Sequence, residues 1–218
     1  MHRDERQGRN AAAGTQAKQD SEAKWHSVAG GGAGTVMKIR TSETDPLQIA
    51  ELPAGGGLIG VTLCPGKRGA SEFGRAWARD LEADVAAIAS WGATSVVTLI
   101  EEHEFEMLGV KGLPAAIRDA GMEWHHLPVT DVSTPDERFA RAWPHAWPRL
   151  QARLGAGERV LVHCRGGLGR AGTVAALMLV ECGESPAIAI KRVRAARPGA
   201  IETAGQERWV MARGQGAT

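Results

Sequence analysis

An α/β fold, with a central, mostly parallel sheet and helices on both faces, is what this sequence predicts, on three observations. Short apolar runs of strand length alternate with longer segments of helical period. The runs are apolar throughout rather than alternating, as strands buried on both faces are. Gly and Pro stand at the boundaries between the two kinds of segment.

The elements follow in order. Residues 1 to about 35 are polar, rich in Gly and Ala and without apolar period, so a disordered tail over 1–45 and one domain over 46–218 are expected. Leu58-Ile59-Gly60-Val61-Thr62-Leu63 reads as a buried strand. Phe73, Trp77, Leu81, Val85, Ile88 and Trp91 form one stripe of an amphipathic helix closed by Gly92. Ser95 to Ile100 is a second strand, a short helix over about 113–120 ends at Gly121, and Trp124 to Val129 is a third strand. Thr134-Pro135-Asp136-Glu137 opens a helix, with Thr134 as N-cap and Pro135 in the first helical position, running to about Leu154. Val160-Leu161-Val162 is a short central strand. Ala171 to Cys182 is apolar nearly all round and reads as a buried helix. Two more helices follow, from Ser185-Pro186 to about Arg197 and from Thr203 to Arg213.

Composition narrows the function classes. Lys plus Arg is 26 and Asp plus Glu is 25 in 218 residues, a net charge of +1, against the basic excess of a dedicated nucleic-acid binder. The longest apolar run, Val174 to Val180, is seven residues, where a membrane helix needs about 20. The charged start lacks the apolar core of a secretory signal. Three Cys without a CxxC fit free thiols in a reducing cytoplasm. A soluble cytoplasmic protein that uses neither nucleic acid nor membrane is expected.

The segment that carries chemistry is Val160-Leu161-Val162-His163-Cys164-Arg165-Gly166-Gly167-Leu168-Gly169-Arg170. A buried strand delivers a Cys into a Gly-rich loop, an Arg follows, and a buried helix begins. Gly lets successive N–H groups turn inward to cradle an anion. The helix N-terminus adds partial positive charge there. The guanidinium fork of Arg170 suits two oxygens of a tetrahedral oxyanion. A thiol in such surroundings is acidified towards the thiolate. A thiolate beneath a phosphate-sized cradle is therefore expected.

This HCxxGxxGR arrangement resembles the protein tyrosine and dual-specificity phosphatases, and over roughly residues 57–212 the chain is most similar to their kinase-associated phosphatase branch. Gly60-Val61-Thr62-Leu63-Cys64-Pro65-Gly66 resembles the branch's early strand and turn. His125 to Asp136 resembles its acid-bearing loop, and Ala200 to Gln206 its late loop. The resemblance implies that Cys164 attacks phosphorus to form a cysteinyl-phosphate, and that Arg170 with the loop N–H groups of Arg165, Gly166, Gly167, Leu168 and Gly169 stabilises the equatorial oxygens. It implies an Asp as general acid. Asp136 lies in the first turn of a predicted helix, where helix stabilisation accounts for it. Asp131 lies ahead of the cap with no such role, and is chosen. Gln206 matches a residue that orients water, although Thr203-x-x-Gln206 is equally a capping box. His163 is expected to fix loop geometry by hydrogen bonding.

One departure stands out. Most relatives carry Ser or Thr directly after the loop Arg, and this chain has Ala171. Without that hydroxyl, breakdown of the phospho-enzyme should slow more than its formation, giving a pre-steady-state burst. Thr173 is the nearest hydroxyl in sequence.

The expected activity is hydrolysis of phosphotyrosine and/or phosphoserine/threonine in proteins, with no metal or organic cofactor. A phosphoinositide substrate is less expected, because Arg165 is the one extra cation inside the loop. The alternatives are a phosphate-binding scaffold of weak activity, or a sulfurtransferase or arsenate reductase-like Cys-loop enzyme. His103, His125 and His126 read as core or surface residues rather than as metal ligands. Cys64 reads as a buried thiol, with a reversible disulfide to Cys164 as the sharper alternative. Cys182 reads as inert in its helix. Lys191, Arg192, Arg194 and Arg197 read as a solvated basic face or a docking surface, and Trp25 as a docking anchor or an exposed tail residue.

Overall fold

A computed structural model describes residues 39–71 and 74–215. Trp25 and most of the expected tail lie outside the described residues. Residues 39–45 are folded against the domain: Arg40 bridges Trp77, and its main chain exchanges hydrogen bonds with Ala76 and Ala78.

The sheet begins with β1 (Ala50–Ala54), a strand the sequence reading did not separate from its polar surroundings. Its Pro53 fits an edge position, where no neighbour needs the missing N–H. Gly55 and Gly56, at φ 61° and 103°, make the tight turn into β2 (Gly57–Thr62). The chain then forms a hairpin, β3 (Arg68–Ser71) and β4 (Gly74–Ala78), before α1 (Leu81–Ser90). There follow β5 (Ala93–Thr98), α2 (Glu102–Met107), α3 (Leu113–Asp119), β6 (Glu123–His126), α4 (Glu137–Gly155), β7 (Arg159–His163), α5 (Gly169–Glu181), α6 (Pro186–Ala196) and α7 (Ala204–Met211).

The main sheet has the order β1-β2-β7-β5-β6. The β2–β7, β7–β5 and β5–β6 pairs are parallel, and β1 alone is antiparallel. The mostly parallel sheet covered on both faces is the architecture the sequence predicts. Leu161 and Val96 face a layer with Val85, Ile88, Phe105, Leu113 and Ile117 from α1, α2 and α3. Val160, Val162 and Val97 face the other layer, with Phe139, Leu150, Val174, Leu177 and Val193 from α4, α5 and α6. Strand β7 enters last yet lies at the centre, with Thr62 and Thr98 on either side of His163. Its C-terminal end therefore opens where flanking strands leave space for a ligand.

Three expectations are corrected. The stripe from Phe73 to Trp91 is not one helix. Trp77 lies in β4, paired with Gly69 of β3, and the helix begins only at Leu81, capped by Asp80, whose side chain accepts from Ala83 N at 2.8 Å. The 3.6-residue spacing of Trp77 with α1 is coincidental: its ring packs under Arg40 and Lys67 rather than in the core layer of α1. The cap of α4 is Asp136, not Thr134: its carboxylate accepts from Arg138 N at 2.9 Å and Phe139 N at 3.3 Å. The third strand ends at His126, although Leu127 N and Val129 N still bond to Thr98 O and Leu99 O, each at 3.0 Å, so the chain stays extended along β5.

Candidate active site

Cys164 follows β7 directly and is 3% exposed. The loop beyond it is shaped by two requirements on its glycines. Gly167 has φ 71°, and a Cβ there would lie 2.4 Å from Thr62 C of β2, so both dihedral and space exclude a side chain. At Gly169 a Cβ would meet Glu202 Oε2 at 2.3 Å and the Gln206 amide at 3.0 Å, which lets the late loop close on the start of α5. Gly167 N donates to Cys164 Sγ at 3.2 Å, so a main-chain dipole points at the sulfur. The N–H groups of Gly166 and Leu168 donate to no other protein group among the described residues.

Arg170 is 1% exposed on the first turn of α5. Its NH1 and NH2 donate to Glu104 Oε2 and Oε1 at 2.6 and 2.9 Å, a two-pronged pair across the sheet from α2. NH1 also donates to Val129 O at 3.1 Å. Glu104 Oε2 accepts a further bond from Glu101 N at 2.8 Å, so both partners of this buried pair are held on several sides. These carboxylate bonds hold the guanidinium charged more firmly than usual against the opposing cost of burial. Its Nε is buried and has no partner. A buried donor without an acceptor is costly, and an oxyanion above Cys164 would satisfy it.

The two candidate acids lie in different places. Asp131 lines the cavity with Cys164, while Asp136 caps α4. Asp131 Oδ1 lies 2.9 Å from Arg170 NH2, and Oδ2 lies 3.7 Å from Arg165 NH1. Its side chain is 45% exposed. A cavity of about 180 Å³ lies over the thiol, lined among others by Lys67, Trp77, Asp131, Val132 and Glu202.

His163 Nε2 lies 2.8 Å from Thr98 Oγ1, which accepts from Trp124 Nε1 at 2.9 Å. Indole donates only, so Thr98 Oγ1 accepts from Trp124 and shares a second hydrogen bond with His163 Nε2, while His163 Nδ1 is buried with no hydrogen-bond partner among the described residues. Burial drives the His163 pKa down to about 3, offset only in part by the Cys164 main chain. His163 is a neutral support beneath the loop, and its ring bonds to the neighbouring strand.

Gln206 is fully buried, and its contacts are structural. It completes the capping box with Thr203, and its Nε2 donates to Ser133 O at 3.1 Å on the acid segment. Thr173 donates to Gly169 O at 2.7 Å, so its hydroxyl is committed to its own helix and does not replace the one missing at Ala171.

The sequence reading missed four residues that build this site. Glu104 sits on a helix too short to show a period. Trp77 comes from a strand read as helix, and Lys67 from the turn just before β3, to which no role was given. Thr98 is an ordinary strand residue until β7 pairs beside it. Only the acidic run Glu101-Glu102-His103-Glu104 directly after a strand gave a signal. Of the basic residues at α6, Lys191 and Arg194 are exposed as on a solvated face, while Arg192 and Arg197 are partly buried. Arg192 pairs with Glu184 and donates to Pro53 O at 2.7 Å, Arg194 pairs with Glu207 at 2.8 Å, and Arg197 Nε donates to Gly167 O at 3.2 Å. All three cysteines are free. Cys64 is buried beside the loop with its thiol pushed up by burial, and Cys182 ends α5 half-buried.

Comparison with known proteins identifies the family. A family model described as a Swiss Army Knife protein, DSP-PTPase phosphatase domain, matches residues 77–210. Cyclin-dependent kinase inhibitor 3 of Rattus norvegicus is 30% identical over 168 residues, spanning 74% of this chain and 76% of its own. The protein of the same name from Mus musculus is 30% identical over 167 residues, spanning 74% and 75%. Among solved structures, kinase associated phosphatase with serine in place of its catalytic cysteine superposes with a TM-score of 0.65 at 27% identity, covering 76% of this chain and 92% of that one. The active form of Tk-PTP superposes at 0.58 with 25% identity, covering 77% and 98%. The chain belongs to the dual-specificity branch of the protein tyrosine phosphatase family. It is a cysteine-based protein phosphatase, and sulfur transfer, arsenate reduction and a silent scaffold find no support in its relatives. No helix among the described residues is long and apolar enough to cross a membrane.

Proposed function

We propose that Cys164, Arg170 and Asp131 carry out this hydrolysis on phosphotyrosine and/or phosphoserine/threonine side chains of a folded phosphoprotein in the cytoplasm. The Cys164 thiolate attacks phosphorus. The S–P bond forms as the ester P–O bond breaks, and Asp131 gives its proton to the departing side-chain oxygen. Water then attacks the cysteinyl-phosphate. Asp131, now ionised, takes its proton, the S–P bond breaks, and phosphate leaves with the thiolate restored. The loop N–H groups and Arg170 hold the equatorial oxygens throughout, where charge stabilisation supplies most of the rate. Every group is supplied by the protein, and no step calls for a metal.

The observation that carries the reading is the Arg170 Nε, buried beside Cys164 with no acceptor while the other guanidinium nitrogens are taken. With its other nitrogens held by protein acceptors, Nε is the guanidinium donor open to an oxyanion at the thiol. The test is hydrolysis of p-nitrophenyl phosphate with EDTA present, by wild type and Cys164→Ser. Turnover should persist in the wild type and fall by a factor on the order of 10⁴ or more in the variant. Equal rates in the two proteins would overturn the assignment.

A further inference from the structure

The phosphate loop is held from outside by cations. Arg165 O, one residue past the candidate nucleophile, accepts from Cys64 N at 3.3 Å and from Lys67 Nζ at 3.1 Å. A trans peptide points its carbonyl and its following N–H in opposite directions. Turning Arg165 O outward therefore turns Gly166 N–H inward, over the thiol. Arg197 Nε does the same one peptide pair later, by taking Gly167 O and so turning Leu168 N–H inward. These are the two loop donors left open for an anion.

Lys67 is unusual in its surroundings. It is 8% exposed and forms no ion pair with a carboxylate among the described residues. Its other neighbour is the Trp77 ring, whose centroid lies 4.3 Å from Nζ. A buried cation with only a carbonyl and an aromatic face is poorly compensated. The segment that carries it is nevertheless rigid. Gly66 N donates to Asp84 Oδ2 at 2.8 Å, Asp84 is paired with buried Arg79 at 2.7 Å, and Arg79 N donates to Lys67 O at 3.2 Å. The fold thus holds an under-compensated cation against the loop that must bind an anion.

We propose that Lys67 is a positioning residue for phosphate binding. It aims the Gly166 N–H by clamping the Arg165 carbonyl, and its ammonium supplies part of the positive field that draws the phosphate dianion into the cradle. The inference rests on the loop's being the phosphate site. It also revises the charge count of the pocket: besides Arg165, the hairpin brings Lys67 and Arg68 to the same cavity.

The groups that face the ammonium are Cys64 on its own segment, Cys164 and Arg165 on the loop, and Arg40 beyond Trp77. Burial lowers the Lys67 pKa to about 8, the two cysteines oppose this, and the two arginines add to it. The ammonium therefore predominates at neutral pH and is lost as pH rises through about 8. In the free enzyme kcat/KM should fall across that limb.

The experiment compares wild type, Lys67→Met and Lys67→Arg. Inorganic phosphate binding is measured by calorimetry, kcat/KM against pH with p-nitrophenyl phosphate, and Tm by circular dichroism. Lys67→Met should stay folded, with Tm no lower than wild type by more than a few degrees, because a costly buried charge is removed. It should bind phosphate about tenfold more weakly and lose the limb near pH 8. Lys67→Arg should keep neutral-pH affinity within a few-fold and move the limb beyond pH 10, since arginine does not titrate there. A folded Lys67→Met with unchanged phosphate affinity, or a limb near pH 8 surviving in Lys67→Arg, would overturn the proposal. If Lys67→Met does not fold, the limb in Lys67→Arg decides alone. Failure of the phosphatase reading shows separately, as wild type no more active than Cys164→Ser, and phosphate calorimetry still tests Lys67 in that case.

Discussion

The phosphate loop and the acid segment meet over one cavity and are built in opposite ways. From Cys164 to Arg170 the chain is buried at its ends, its carbonyls are taken by Cys64, Lys67, Arg197 and Thr173, and its arginine is locked to Glu104. From Asp131 to Ser133 the chain is exposed, carries a β-branched residue at positive φ, and is tied down by side-chain contacts: Asp131 to Arg170 and Gln206 to Ser133. The difference matches the tasks. A cradle must be fixed before the phosphate arrives, because donors that reorganise during reaction stabilise the transition state less. An acid must reach a leaving group whose shape varies, so its segment is held less tightly. The Asp131–Arg170 contact is the place where the two designs touch, and phosphate must compete there with a carboxylate for one guanidinium nitrogen.

Removing the proposed acid should have the largest effect. Asp131→Asn keeps the shape and removes the proton. The loss in kcat should be about 10²–10⁴-fold on a phosphothreonine peptide, whose alkoxide is a poor leaving group, and distinctly smaller on p-nitrophenyl phosphate. The same variant should bind inorganic phosphate no more weakly than wild type, because a charged competitor for Arg170 is gone. An equal loss on both substrates would mean that Asp131 acts only through Arg170.

The cradle side is probed next by Glu104→Gln, which leaves one acceptor for Arg170 and removes the negative charge. Breaking a buried pair leaves an uncompensated cation, so the expected cost is about 3 kcal/mol of stability, with kcat/KM down about tenfold to a hundredfold as Arg170 loses its orientation. Chemical denaturation and steady-state kinetics check both parts. A change in activity with no change in stability would show that the pair serves electrostatics rather than position.

Smaller effects belong to the point where the loop joins its helix. Ala171 is fully buried, and Thr173 is committed to Gly169 O, so within the first turn of α5 no hydroxyl is available to the sulfur. Stopped-flow release of p-nitrophenol should show a burst in wild type, and Ala171→Ser should shrink it while raising the steady-state rate about threefold to tenfold. Identical traces would mean that phospho-enzyme breakdown is not slowed by the missing hydroxyl.

How far the sequence could be read follows from the same contrast. The loop is contiguous, and its chemistry is dictated by residue types at fixed spacing, so Cys164, Arg170 and the glycines were legible as a unit. The strands were legible because parallel strands buried on both faces are apolar runs. The hairpin was not, since Gly69 and Gly74 at positive φ, rather than apolar period, decide it, and Trp77 happens to sit at helical spacing from Leu81. Glu104, Lys67 and Arg197 were not legible as site residues for a different reason. Each reaches the loop from 30 to 98 positions away, and nothing local in the sequence distinguishes a buried charge from a solvated one.

Val132, which follows Asp131, is the weak point of its segment. It adopts φ 59°, a left-handed conformation that a β-branched side chain disfavours, and it is 64% exposed. Its side chain therefore gains little from burial to offset a backbone cost of about 1–2 kcal/mol. Yet it lines the cavity across from Trp77, Leu108 and Leu168, where an apolar wall would touch the carbon skeleton of a phosphorylated side chain. Val132→Gly should remove the strain at the cost of about 0.5–1 kcal/mol in unfolded-chain entropy, leaving Tm raised by a few degrees or unchanged. KM for a phosphopeptide should rise a few-fold while kcat for p-nitrophenyl phosphate stays near wild type. A lower Tm would show that the left-handed turn is stabilised by contacts of the valine itself, and an unchanged KM that its side chain does not meet the substrate.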